Sequence, residues 1–159
     1  MPLLPSHPRR GPQRALAALL AVCAALAPGL WSAAVASEAP GAFKVIVNAS
    51  NPATSVNRDF LAAVFLKKAT RWEDGERARP VDLAADSTVR AAFSLRVLAR
   101  PVAAVRNYWE QRIFSGTDVP PPELASDAEV VRYVEANPGA VGYISAGAAS
   151  GAAKVLAVR

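Results

Sequence analysis

The sequence predicts an α/β domain with a small, largely parallel sheet flanked by helices. Two observations carry this expectation. Apolar, β-branched runs at Phe43–Val47, Pro80–Leu83, Ala140–Ile144 and Lys154–Val158 read as strands, and segments of helical periodicity lie between them. Their order, β-α-β-α-α-α-β-β, is that of a helix-covered sheet and shows neither an internal repeat nor coiled-coil heptads.

Phe43-Lys44-Val45-Ile46-Val47 is followed by turn-forming Asn48-Ala49-Ser50-Asn51-Pro52. Asn57 can cap the next helix, with Asp59 placed against the positive end of its dipole. Leu61, Val64 and Phe65 form its buried face, Lys67-Lys68 mark its end, and Trp72-Glu73-Asp74-Gly75 makes a turn. Pro80 is tolerated at the start of the short second strand. A helix opening at Asp86-Ser87 carries the stripe Val89, Phe93, Val97. Pro101 suits the first turn of the next, which carries Val102, Val105, Trp109 and Ile113. After Gly116 and Pro120-Pro121-Pro122, Ser126-Asp127-Ala128-Glu129 is a capping box. Its helix buries Val130, Val131 and Val134 and stops at Asn137-Pro138-Gly139. A Gly/Ala/Ser turn separates the last two strands.

The chain has 159 residues, and the first 36 read as a secretory signal peptide. Arg9, Arg10 and Arg14 precede the apolar run Ala15–Leu30, and Ala34-Val35-Ala36 supplies a cleavage site after Ala36. Pro28 and Gly29 interrupt that run, which is short for a membrane span of ~20 residues. Cys23 raises the alternative of a lipid anchor, although Val22 is larger than the residue such a site wants. The expected division is residues 1–36 as signal peptide, 37–42 as a flexible lead-in, and 43–159 as one domain in the periplasm.

Cys23, His7 and Met1 are the only residues of their kinds, and all lie in the leader. The remainder therefore forms no disulfide, no Cys/His zinc site and no Ser-His or Cys-His catalytic pair. Three of the 18 Lys and Arg lie in the leader and all 13 Asp and Glu lie after it, leaving a formal charge of +2. This provides no concentrated basic face for nucleic acid. No carboxylate pair is placed for acid–base work, so no enzyme, cofactor or metal is expected.

The strand ending at Leu83 leads through Ala84-Ala85 into Asp86-Ser87-Thr88 at a helix start. Free amides, two hydroxyls and the dipole suit an oxyanion there, with Arg90 as a nearby forked donor. The competing reading is simple helix capping. Asp86 accommodates an anion only if the ligand brings a proton, as a protonated phosphate does. Asn48 and Ser50, beyond the carboxyl end of the first strand, are a second candidate, against ordinary turn chemistry. Glu73, Asp74 and Glu76 read as a solvated turn, and Trp72, Tyr108 and Trp109 as core. Arg58, Lys67, Lys68 and Arg71 read as a solvated face.

In their order these pieces resemble the phosphate-binding periplasmic proteins of ABC transporters, of the type II periplasmic binding fold. The resemblance rests on Val45-Ile46-Val47-Asn48 with Asn51-Pro52, Asp59-Phe60-Leu61 through Val64-Phe65-Leu66, and Trp72-Glu73-Asp74-Gly75. It continues through Pro80-Val81-Asp82, Asp86-Ser87 with Arg90 and Phe93, Tyr108-Trp109, and Phe114-Ser115-Gly116. It ends with Pro120-Pro121, Ser126–Val131, Tyr133-Val134 and Pro138–Tyr143, covering Phe43 to Ser145. Members of the family close two lobes on their anion, and this chain has room for a single lobe, similar to the second one. In the family that lobe supplies an Arg followed by a Ser-Gly-Thr turn. Here Asp86-Ser87-Thr88 falls on the turn and Asp82 near the Arg position, so Arg90 would substitute from within the helix.

The resemblance implies a non-catalytic, exported solute-binding-like domain. It would contact inorganic phosphate or a similar oxyanion weakly through Asn48, Ser50, Ser87, Thr88 and Arg90. A membrane transporter, a sensor protein or a second copy would be its partner. The alternative is a ligand-free interaction module derived from the same fold.

Overall fold

The structure, a computed structural model, describes residues 39–159. The leader, its cleavage site and the lipid-anchor reading of Cys23 lie outside the described residues. Of the expected lead-in, residues 39–42 form a turn closed by Ala42 N–H donating to the Ala39 carbonyl (2.9 Å).

In chain order the elements are β1 (Phe43–Val47), β2 (Ser55–Val56), α1 (Arg58–Phe65), β3 (Arg79–Pro80), β4 (Asp82–Leu83) and α2 (Thr88–Arg96). Then come α3 (Val102–Phe114), β5 (Glu123–Leu124), α4 (Asp127–Ala136), β6 (Ala140–Ser145) and β7 (Lys154–Val158). Five strands form one sheet in the order β2-β7-β1-β6-β3, and β4 and β5 form a second, parallel pair.

The α/β class stands, but the sheet is mixed rather than largely parallel. Its central strand β1 pairs antiparallel with β6, from Phe43↔Ser145 to Val47↔Val141, and antiparallel with β7 through Val45↔Leu156. Only the two-residue margins are parallel, β2 on β7 and β3 on β6. Helices cover both faces, so β6 is buried along nearly its whole length and shows an unbroken apolar run. Such a run records burial on both sides, not direction. Nor does the Gly/Ala/Ser stretch after Ser145 close a hairpin. It returns the chain alongside α4, where Ala152 N–H donates to the Glu135 carboxylate (2.6 Å), and delivers β7 to the far side of β1.

The pleat sends Phe43, Val45 and Tyr143 to one face, where they meet α1 and α2. Phe93 stacks on Tyr143 with centroids 3.8 Å apart and planes 6° from parallel, and Phe65 and Phe43 pack on Phe93 at 4.7 and 5.4 Å. Ile46 and Gly142 face α4, whose Val130 and Val134 are fully buried. The caps follow the sequence. Asn57 accepts from Asp59 N–H (2.7 Å), Ser87 Oγ from Arg90 N–H (3.3 Å) and Ser126 Oγ from Glu129 N–H (3.3 Å). Ile113, expected in a buried stripe, is 52 % exposed. α3 is anchored by Val105 and Trp109, and its last turn projects beyond them.

Gly142 allows the close approach of α4 to the sheet. A Cβ there would lie 2.6 Å from Val130 Cγ1 and 2.9 Å from Val81 Cγ1. Gly142→Ala is expected to cost about 1–3 kcal/mol by overpacking, read as a lower urea midpoint at unchanged slope.

Candidate functional site

β4 hands the chain through Ala84 and Ala85 to α2. Ser87 N–H donates to the Ala84 carbonyl (3.0 Å), and its extended backbone (φ −67°, ψ 128°) lets the hydroxyl cap the helix. Ser87 is half-buried and Thr88 exposed. The amides of Thr88 and Val89 belong to the first turn and have no carbonyl of their own helix to bond. They sit at the positive end of the dipole, one on exposed Thr88 and one on buried Val89, with exposed Asp86 beside them.

Arg90 is turned inward. Its side chain is 7 % exposed, with one nitrogen 3.2 Å from Asp82 Oδ2 and the other 2.6 Å from Glu123 Oε1 while also donating to the Leu83 carbonyl. β4 and β5 place Asp82 and Glu123 side by side, so one guanidinium satisfies both carboxylates. Tyr143 completes the group by donating its hydroxyl to Asp82 Oδ1, and Leu83 N–H donates to that oxygen as well (3.1 Å). Burial pushes the Asp82 carboxyl above its ordinary range, outweighing the opposing pull of Arg90 and the Tyr143 hydrogen bond. Burial, and then the Asp82 charge, push the Tyr143 phenol upward.

Asn48 and Ser50 lie at the opposite end of β1. Asn48 Nδ2 donates to the carbonyls of Val134 (2.8 Å) and Glu135 (2.9 Å), and Oδ1 accepts from the Ser50 amide (3.0 Å) and hydroxyl (2.7 Å). Asn48 thus pins the end of β1 to the end of α4, with Ser50 exposed above it. Ser87, Thr88 and Arg90 gather at the other end, beside Gly41 and Phe43 at the start of β1, where a Cβ on Gly41 would meet the Thr88 carbonyl oxygen at 2.9 Å. The five candidates therefore form two groups separated by the length of the strand.

Among the other charged candidates, Asp74 Oδ1 accepts from Glu76 N–H (2.9 Å), which makes the acidic segment a self-bonded turn. Among the described residues, no group of three or more His, Cys, Asp or Glu could hold a metal ion. Lys67 pairs with Asp118 (3.2 Å), Arg58 with Asp59 (3.8 Å), and Arg71 donates to the Gly75 carbonyl (2.8 Å). Trp72 and Trp109 are buried, and Tyr108 donates its hydroxyl to the Leu66 carbonyl (2.9 Å). The residues that sequence reasoning missed are Glu123 and Tyr143. A hydroxyl within the apolar run of β6 and an acid at position 82 between Val81 and Leu83 were the available signals of a buried polar group.

Solved structures share this fold. The chain matches an ABC-type phosphate transport receptor from Vibrio cholerae at TM-score 0.55 and 21% identity, over 76% of this chain and 48% of that one. It matches a Clostridium perfringens protein assigned as a phosphate ABC transporter substrate-binding protein, solved with bound phosphate, at TM-score 0.58 and 17% identity. That match covers 76% of this chain and 47% of the other. PstS from Borrelia burgdorferi matches at TM-score 0.56 and 14% identity, over 74% and 47%. No protein-family model and no curated protein sequence matches. At these identities the likeness is one of fold. The domain has the α/β architecture of phosphate-transport binding proteins and spans about half the length of the structures it matches.

Arg90→Met should cost about 3–5 kcal/mol, because it strands Asp82 as an unpaired buried charge. Arg90→Met combined with Asp82→Leu should be less damaging than Arg90→Met alone, both read by urea unfolding. Tyr143 gives a pH signature. Its phenol keeps its proton in the folded state above pH 10, where that of the unfolded chain is released. Stability is therefore lost as pH rises beyond 10, and Tyr143→Phe should show a shallower alkaline fall in unfolding free energy.

Proposed function

We propose that this chain is an exported, non-catalytic solute-binding-like lobe. It comprises a signal peptide over residues 1–36 and one domain over 43–159, and it binds phosphate or a similar oxyanion weakly at the start of α2. The observation that carries the reading is the pair of first-turn amides at Thr88 and Val89 that no carbonyl of α2 satisfies, flanked by the Ser87 and Thr88 hydroxyls, shortly after a strand. The fold shared with a phosphate-bound structure supports it. Asn48 and Ser50 would bear on the site by fixing the opposite end of β1, and Arg90 by seating α2. Affinity is low because Arg90 is already paired with Asp82 and Glu123, and because one lobe replaces only half of an anion's hydration shell. A second copy, or a membrane transporter or sensor, would close over it.

A second reading, a ligand-free interaction module, is favoured by one observation. Phe114 is 97 % exposed, with Ile113 at 52 % and Val119 at 59 % beside it in sequence, and exposed apolar groups of this kind mark contact surfaces.

Thermal unfolding with phosphate, against sulfate at equal ionic strength, separates the two. Phosphate at a hundred times its dissociation constant adds about 2.7 kcal/mol, enough to raise the midpoint by several degrees. Thr88→Pro removes one of these amides at a position where proline suits the helix, and the extended Ser87 before it is compatible. The variant should stay folded and lose the phosphate effect. Midpoints that neither phosphate nor sulfate raises above the value in chloride at equal ionic strength would leave the interaction module as the reading.

A further inference from the structure

A groove of about 330 Å³ lies at the β2 edge of the sheet, on a different surface from the α2 start, and its lining suits a different ligand. Phe60 and Trp72 form its aromatic part, with ring centroids 5.9 Å apart, and Trp72 is fixed by its indole N–H donating to the Gly139 carbonyl (2.9 Å). Glu73 and Asp74 supply two exposed carboxylates, and among the described residues no cationic side chain lines the groove, the nearby Lys154 ammonium being held by the Asn51 carbonyl. The lining thus repels phosphate and attracts a cation, and an aromatic face beside carboxylates suits a guanidinium or ammonium group.

Two unused sets of hydrogen-bonding groups border the same groove. Asn51 is only 6 % exposed. Its Oδ1 accepts from Ala53 N–H (2.9 Å), while its Nδ2 bonds no described residue and is not among the buried atoms left without a partner. An amide donor without a described protein partner, on a residue that lines the groove, can take a carbonyl. Among the described residues, β2 is the outermost strand and pairs with β7 alone. Ala157 N–H donates to the Thr54 carbonyl (3.2 Å) and Arg159 N–H to that of Val56 (2.9 Å), so the ladder uses the residues on either side of Ser55. The amide and carbonyl of Ser55 face the open edge, where Ser55 lines the groove.

The geometry points to a docking groove for an extended, basic polypeptide segment. It adds alongside β2 through Ser55, offers a carbonyl to Asn51, and places an Arg or Lys side chain against Phe60 between Glu73 and Asp74. Strand addition supplies main-chain bonds, and the aromatic and acidic groove selects the side chain.

Nuclear magnetic resonance titration of the labelled protein tests this. The probes are an end-blocked heptapeptide of alternating valine and threonine with a central arginine, and the same peptide with central glutamate. The arginine peptide is expected to shift the Ser55 amide, the Asn51 side-chain amide and the Trp72 indole, and to bind at least tenfold more tightly. Glu73→Lys with Asp74→Asn, which keeps the Oδ1 acceptor of the turn, should cut that affinity at least tenfold without moving the unfolding midpoint. Ser55→Pro, which deletes the outward amide, should weaken binding too. Equal affinity for the two peptides, no binding at millimolar concentration, or shifts centred elsewhere would overturn the proposal. So would unchanged binding in either variant, or free arginine binding as tightly as the peptide.

Discussion

The structure is organised around the buried contact of Arg90 with Asp82. It fastens the first turn of α2 to β4 and reaches β5 through Glu123. Through Tyr143 it meets the aromatic stack under the main sheet. Burying these charges is costly, and the geometry offsets the cost by leaving few lone pairs unused on Asp82. The contact thereby fixes the register of the β4–β5 pair and the entry angle of α2, which apolar packing alone would leave looser.

The same economy limits what the fold offers a ligand. Arg90 and Asn48 have the chemistry to hold an oxyanion, and both direct it into the protein, Arg90 to carboxylates and Asn48 to the end of α4. What remains at the start of α2 is backbone, plus the two hydroxyls of Ser87 and Thr88. The fold thus stands while Arg90 and Asn48, its strongest side-chain donors, serve its own stability.

Much of this was legible in the sequence because it is local. The caps at Asn57, Ser87 and Ser126 are short-range hydrogen bonds written into adjacent residues, and Val89 and Phe93 declare the buried face of α2. Strand direction was not, since Ala140–Ile144 is apolar at every position whichever way its neighbours run. The role of Arg90 was hidden for a related reason. Its partners Asp82 and Glu123 come from two different strands, with Tyr143 of a third bonding Asp82, and no spacing announces such a meeting. Position 113 misled because helical periodicity marks where a face would be covered, not whether a neighbour extends far enough to cover it.

The placement of β1 between β6 and β7 has a kinetic side. Phe43 finds its partner at Ser145, about a hundred residues later, and contacts of such separation slow folding because the loop must close before any pairing rewards it. During synthesis β1 has neither flanking strand until Ala140–Ser145 has emerged, and even with β6 docked one edge waits for β7. The nascent chain is therefore held open by its own topology, with Val45, Ile46 and Val47 accessible to whatever escorts it.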